Sequence, residues 1–237
     1  MKKWYRTGLM IILFLVLLIF ISYLLSRFVF TNKGKKSFSV VVDSIKGYNY
    51  TLDERDSKLM RSKFKELKKV LNNKELDYKE YSSLLSQLFI IDLYDIDKKV
   101  NKYDIPCLEY LYGDEVDKFK KLIKEDFYSK LEDNSDGNRK QELPTIKSIE
   151  VESIEETEPK VNDIPMKGYN VTLKWEYEKD LGYDSKAVVT TVIDGDKVYI
   201  IKHSPIIDWF LSFFAYNISW GEKKWKSLIL LILSLFL

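Results

Sequence analysis

The sequence predicts an α+β chain: one N-terminal transmembrane helix, then a domain of three helices packed on a curved antiparallel sheet of four or five strands. Three observations carry that prediction. Leu9 to Leu25 are seventeen consecutive uncharged, mostly apolar positions. Between residues 53 and 131, apolar side chains recur at spacings of three and four, the helical period. From residue 145 onward the period becomes two, and Asp194-Gly195 supplies a hairpin turn.

As a helix, the run from Leu9 to Leu25 extends roughly 25 Å, enough for a bilayer core with slight thinning. Trp4 and Tyr5 on one side, and Tyr23 and Phe28 on the other, suit the two interfaces, with Lys2, Lys3, Arg6 and Arg27 beyond. A cleavable signal peptide needs a shorter apolar region and a small-x-small site, whereas this run ends Tyr-Leu-Leu-Ser-Arg-Phe. Residues 9–28 therefore read as a transmembrane signal anchor, 1–8 as a cytoplasmic N-terminus and 29–36 as a basic juxtamembrane linker. Trp4, Tyr5 and Arg27 are the expected membrane-interface residues here. Three basic residues precede the run and four closely follow it, so charge alone does not orient it. A short basic N-terminus, one apolar run and one large domain is nonetheless the layout of a signal anchor. The expectation is a single-pass protein of the cell membrane whose domain, residues 37–205, is extracytoplasmic.

The domain opens with SFSVVVDSIKGYNYTL (37–52), rich in β-branched and aromatic residues and read as a strand bent at Gly47. Met60, Phe64, Leu67 and Leu71 then make one apolar stripe, stopped by Asn72 and Asn73. A second helix starts at Asp77 with Glu80 three residues on, as in a capping box. It buries Tyr81, Leu84, Leu85, Leu88 and Phe89, and its apolar end, FIIDLYDID, belongs in the core. A third helix begins near Gly113-Asp114 and presents Val116, Phe119, Ile123, Phe127 and Leu131. Its Lys118, Lys120, Lys121 and Lys124 read as a solvated face.

A polar loop (132–144) separates the helices from a strand of irregular register at 145–154. After an acidic loop (155–165), Tyr169, Val171, Leu173, Trp175 and Tyr177 alternate without error, marking a strand with one buried face. SKAVVTTVI (185–193) and KVYIIKH (197–203) flank the Asp194-Gly195 hairpin turn. After Pro205 the composition switches abruptly: 206–237 holds Trp209, Trp220 and Trp225 and ends in the apolar run 227–237. That tail is expected to be membrane-associated, with the three tryptophans at the headgroups, either truncated from a longer second span or dipping into one leaflet.

Strand, three helices, then a strand meander over residues 40–203 resembles the cone-shaped fold of the nuclear-transport-factor/cystatin-like superfamily. That resemblance implies single-span extracytoplasmic components of conjugation and type IV secretion machines. A narrower resemblance rests on RDSKLMRSKFKELKKVL, DYKEYSSLLSQLFIIDLY, RKQELPTI and WEYEKDLGYDSKAVVTTVIDGDKVYII. These runs are similar to uncharacterised single-span membrane-anchored proteins of AT-rich, low-GC Gram-positive bacteria, a group without an assigned activity to carry over.

The net charge of +2 hides a partition. Residues 1–36 hold seven basic side chains and no acidic one, while 37–205 hold 28 Lys plus Arg against 34 Asp plus Glu. An acidic domain argues against nucleic acid as a partner. Cys107 is the one cysteine, so neither a disulfide nor a thiolate zinc site can form within the chain, and its setting, IPCLEYLY, reads as core. His203 is the one histidine and reads as a surface residue at a strand end. Asp92, Asp95 and Asp97 lack the mid-loop Gly and terminal Glu of a calcium-binding hand and read as solvated helix-end charges. Nucleotide-loop and nucleophile-elbow motifs are absent from the sequence.

No catalytic, cofactor-binding or metal-binding residue is therefore expected, and no cofactor. Tyr169, Trp175, Tyr177 and Tyr183 are the candidates to line a pocket between helices and sheet, with plain core as the alternative. The expected function is a non-catalytic membrane-anchored extracytoplasmic binding or scaffold module of the envelope, with the membrane and other envelope proteins as partners. The alternative is a pocket enzyme or small-ligand binder on the same fold. A closed aromatic core favours the module, and an open pocket with two or more ionisable groups favours the alternative.

Overall fold

A computed structural model describes residues 13–23, 40–113 and 115–206, which fall into two units divided between Phe38 and Ser39. In the first unit, residues 13–23 form a helix, α1, whose large apolar side chains are all exposed, from 43% at Ile21 to 70% at Ile19. The expected transmembrane helix is corrected here. No helix among the described residues is long and apolar enough to cross a membrane. The described residues of α1 extend about 16 Å, whereas a span needs roughly 30 Å of apolar helix. The rest of the run expected as a signal anchor, and Trp4, Tyr5, Arg27, Trp209, Trp220 and Trp225, lie outside the described residues.

The second unit is α+β. Its first expected strand is in fact two: β1 (Val41–Ser44) and β2 (Thr51–Asp53) pair antiparallel, apart from the main sheet. Gly47, at φ +88°, takes the turn between them, a conformation open to glycine because it lacks a Cβ. α2 (Lys58–Leu71) starts at Ser57, whose Oγ accepts from the Met60 backbone N–H at 3.2 Å. It buries Met60, Phe64, Leu67, Val70 and Leu71. α3 (Tyr78–Tyr94) is capped by Asp77, which accepts from the N–H groups of Lys79 and Glu80 at 3.0 Å each.

α3 is the pivot of the unit. It touches α2 and all four strands of the main sheet, so it is buried on nearly every side, Ser82, Ser86 and Gln87 included. That placement explains why its apolar pattern lacks a polar face. At its C-terminus Asp95, 3% exposed, accepts from the Ile146 N–H at 2.6 Å and so fastens the helix to the first strand of the sheet. α4 (Glu115–Leu122) runs into a π-helical turn, Ile123–Phe127, closed by the Tyr128 N–H on the Ile123 carbonyl at 2.7 Å. The wide turn brings Ile123 and Tyr128 into the core, whereas no residue of α4 itself is fully buried.

The sheet is antiparallel in the order β3-β6-β7-β8. β3 (Ile146–Thr157) carries two register shifts, at Ile146/Ser148 and Val151/Ser153. A small hairpin, β4 (Lys160–Val161) and β5 (Ile164–Pro165), follows it. β6 (Gly168–Tyr177) turns Val171, Leu173 and Trp175 inward and Lys174 and Glu176 outward. β7 (Lys186–Asp194) and β8 (Lys197–Pro205) join through Gly195 at φ +63°. Part of the outer edge of β8 is covered by Leu111, bridged parallel to Ile200.

Candidate functional site

Three segments distant in sequence wall a cleft of about 220 Å³: β1–β2 with the start of α2, the last turn of α3, and the chain from 98 to 110. Charged side chains dominate it. Asp92, in the last turn of α3, pairs its Oδ1 with the Lys99 ammonium. Its Oδ2 accepts the backbone N–H of Cys107 at 2.7 Å. Burial alone would push the Lys99 ammonium down, but the charge and hydrogen bond of Asp92 outweigh it and hold the lysine protonated. Arg55 bridges two carboxylates, Asp104 at 2.6 Å and Asp53 at 3.0 Å. Asp104 also accepts the Val100 N–H at 3.0 Å, so the loop and the hairpin are tied through one guanidinium.

Two further carboxyls line the cleft without a basic side chain within ion-pair distance among the described residues. Asp56 accepts the Asp53 N–H at 2.6 Å. Burial raises its carboxyl to about 6, against that hydrogen bond, and repulsion from Asp92 adds to the rise. Glu109 accepts the Thr51 N–H at 2.8 Å and the Thr51 hydroxyl at 3.2 Å. Burial raises it to about 7, with Asp92 and Asp56 as the repelling neighbours. Each carboxyl is thus fixed by hydrogen-bond donors yet has no ion-pair partner among the described residues; the Lys99 ammonium eases the rise of Asp56 without cancelling it, and both groups are displaced toward neutrality.

Cys107 stands in the same wall at φ +65°, its thiol buried and donating to the Phe89 carbonyl at 3.3 Å. Burial, with Asp92 next, pushes that thiol well above its ordinary value and favours the protonated form. Among the described residues, no three carboxylate, imidazole or thiol groups converge as a metal-ligand set.

The sequence-predicted pocket residues lie elsewhere. Trp175 is 2% exposed and packs on Tyr94 at 4.8 Å between ring centroids, inside the closed core. Tyr177 donates to the Asp184 carbonyl at 2.5 Å and lies 6.4 Å from the Tyr183 ring. Tyr169 borders an open hollow with Tyr78, Met166 and Ile193. Tyr169 and Tyr177 are eight positions apart along β6, roughly 27 Å of strand, so the four side chains do not come together in one pocket.

Asp92 and Asp95, expected as solvated, are 16% (side chain) and 3% exposed, whereas Asp97, at 45%, is solvated. Sequence reasoning missed Arg55, Asp56, Lys99 and Glu109 altogether. One signal was present: charged residues in or beside apolar runs, as in FIIDLYDIDKKV and IPCLEY, are charges a fold has to pair or to use. No family model, curated protein or solved structure matches this chain.

Proposed function

We propose that this chain is a non-catalytic binding module whose polar cleft receives a positively charged side chain, lysine or arginine, from a partner protein. The observation that carries the reading is the pair Asp56 and Glu109, two fixed carboxyls without an ion-pair partner among the described residues, in a cleft whose other acids are paired by Arg55 and Lys99. A guest cation restores the missing compensation and draws both carboxyls to their ionised forms. Size supports the same guest: at about 220 Å³ the cleft is smaller than the roughly 300–1,000 Å³ of drug-sized ligand sites. The envelope partner expected from the sequence is a fitting source of such a side chain.

The test uses the Thr51 and Asp53 amide resonances, since these N–H groups donate to the two carboxyls. Acetyl-arginine-amide should shift both saturably, while its uncharged citrulline analogue and the Asp56→Asn/Glu109→Gln variant should show no response. Equal shifts with citrulline would overturn the reading. The near-neutral Glu109 carboxyl favours a second reading, a pocket enzyme that moves a proton, and that reading requires chemical turnover of a bound amine in the same tubes.

A further inference from the structure

A second hollow, of about 380 Å³, lies between α4 and the exposed side of β8, away from the polar cleft. Its wall is apolar: Phe89, Leu111, Phe119, Leu122, Ile200 and Ile201. Phe119 packs on Phe89 at 5.9 Å, and Leu122, 54% exposed, stands at the open side. One polar group enters this wall, the imidazole of His203, which lies 5.7 Å from the Phe89 ring. Its Nε2 is buried and has no hydrogen-bond partner among the described residues. An unpartnered buried nitrogen is costly and uncommon, and here it lies behind the wall of the hollow, in a ring packed between Phe89 and Tyr94. The rim carries Lys118 and Lys202 against one carboxylate, Glu115, which pairs with Lys118 at 2.9 Å.

From the apolar wall, the buried imidazole nitrogen and the positive rim, we infer that this hollow binds a small apolar carboxylic acid. Its hydrocarbon body covers Phe119, Leu122 and Ile201, and its carboxylate sits at the lysine rim; a shift of α4 is what would bring it to the His203 Nε2, which the hollow as it stands does not expose. The volume lies within the range of small-ligand sites, and the positive rim selects an acid over an amine. α4 fits the role of a movable wall: it has no fully buried residue and is joined to the core through the π-helical turn. The inference is independent of the cation-binding cleft, since the two sites share no lining residue.

His203 is the sole histidine, so its imidazole Cε1–H resonance in the full chain is a single, local reporter. Titration with octanoate should move that resonance saturably, and 1-octanol should move it less at equal concentration. Leu122→Asp places a negative charge at the mouth on an exposed position, so the fold is retained, as an unchanged melting temperature will show. It should weaken octanoate by at least about tenfold, and Lys202→Glu should weaken it in the same direction. An unmoved resonance up to about 10 mM octanoate would overturn the inference. So would a titration indifferent to Leu122→Asp, or one in which octanol equals octanoate.

Discussion

Single ionisable groups set the pH response of this molecule, and they work in opposite senses. Asp56 and Glu109 ordinarily titrate at 3.8 and 4.5 and are raised by burial to about 6 and about 7. Between those limits the folded chain holds protons that the unfolded chain has released, so their contribution is complete at low pH and is lost as pH rises. His203 is lowered by burial from 6.5 to about 4. Its contribution is present above 6.5 and is lost as pH falls toward about 4. The Asp56→Asn/Glu109→Gln variant should therefore gain melting temperature relative to the parent as pH rises from about 5 to about 7.5, and His203→Phe should change in the reverse direction. Calorimetric scans at the two pH values measure both. Profiles parallel to the parent would mean that these side chains are solvated in solution.

At the scale of elements, β6 is the sharpest test of register. Trp175 is buried against Tyr94 while its neighbour Lys174 points outward, although the two differ by one position. Trp175→Ala should cost about 3–5 kcal/mol and Lys174→Ala under about half a unit, as read from denaturant melts. Equal costs would place the strand one residue out of register. This element was legible in the sequence because strand period is a local property. So were the Asp77 cap of α3, the Asp194-Gly195 hairpin and the irregular register of β3. What was not legible depends on partners remote in the chain. The cleft joins Thr51, Asp92 and Glu109, which no spacing rule brings together, and the Asp95–Ile146 bond spans 51 positions. The break of the first strand into β1 and β2 was half visible, as a bend at Gly47. His203 is the converse case: strand-end position suggested exposure, and packing by α3 and α4 residues decided otherwise.

At the scale of the whole second unit, the buried core is one cluster drawn from residues 45–200 that joins the helices to the sheet. A fragment spanning 40–206 should consequently be a monomer with one cooperative thermal transition, measured by circular dichroism and sedimentation. Absence of a transition, together with its recovery when residues 207–220 are restored, would move the domain boundary outward. For the apolar run near the N-terminus, no helix among the described residues is long and apolar enough to cross a membrane. The edge strand β3 carries one last consequence. Its ladder with β6 is interrupted twice, Glu150, Glu155 and Glu156 are exposed along it, and Glu152 is held by Lys186. A second copy approaching that edge meets kinked pairing and three like charges, features that disfavour growth of the sheet by accretion through the longest strand.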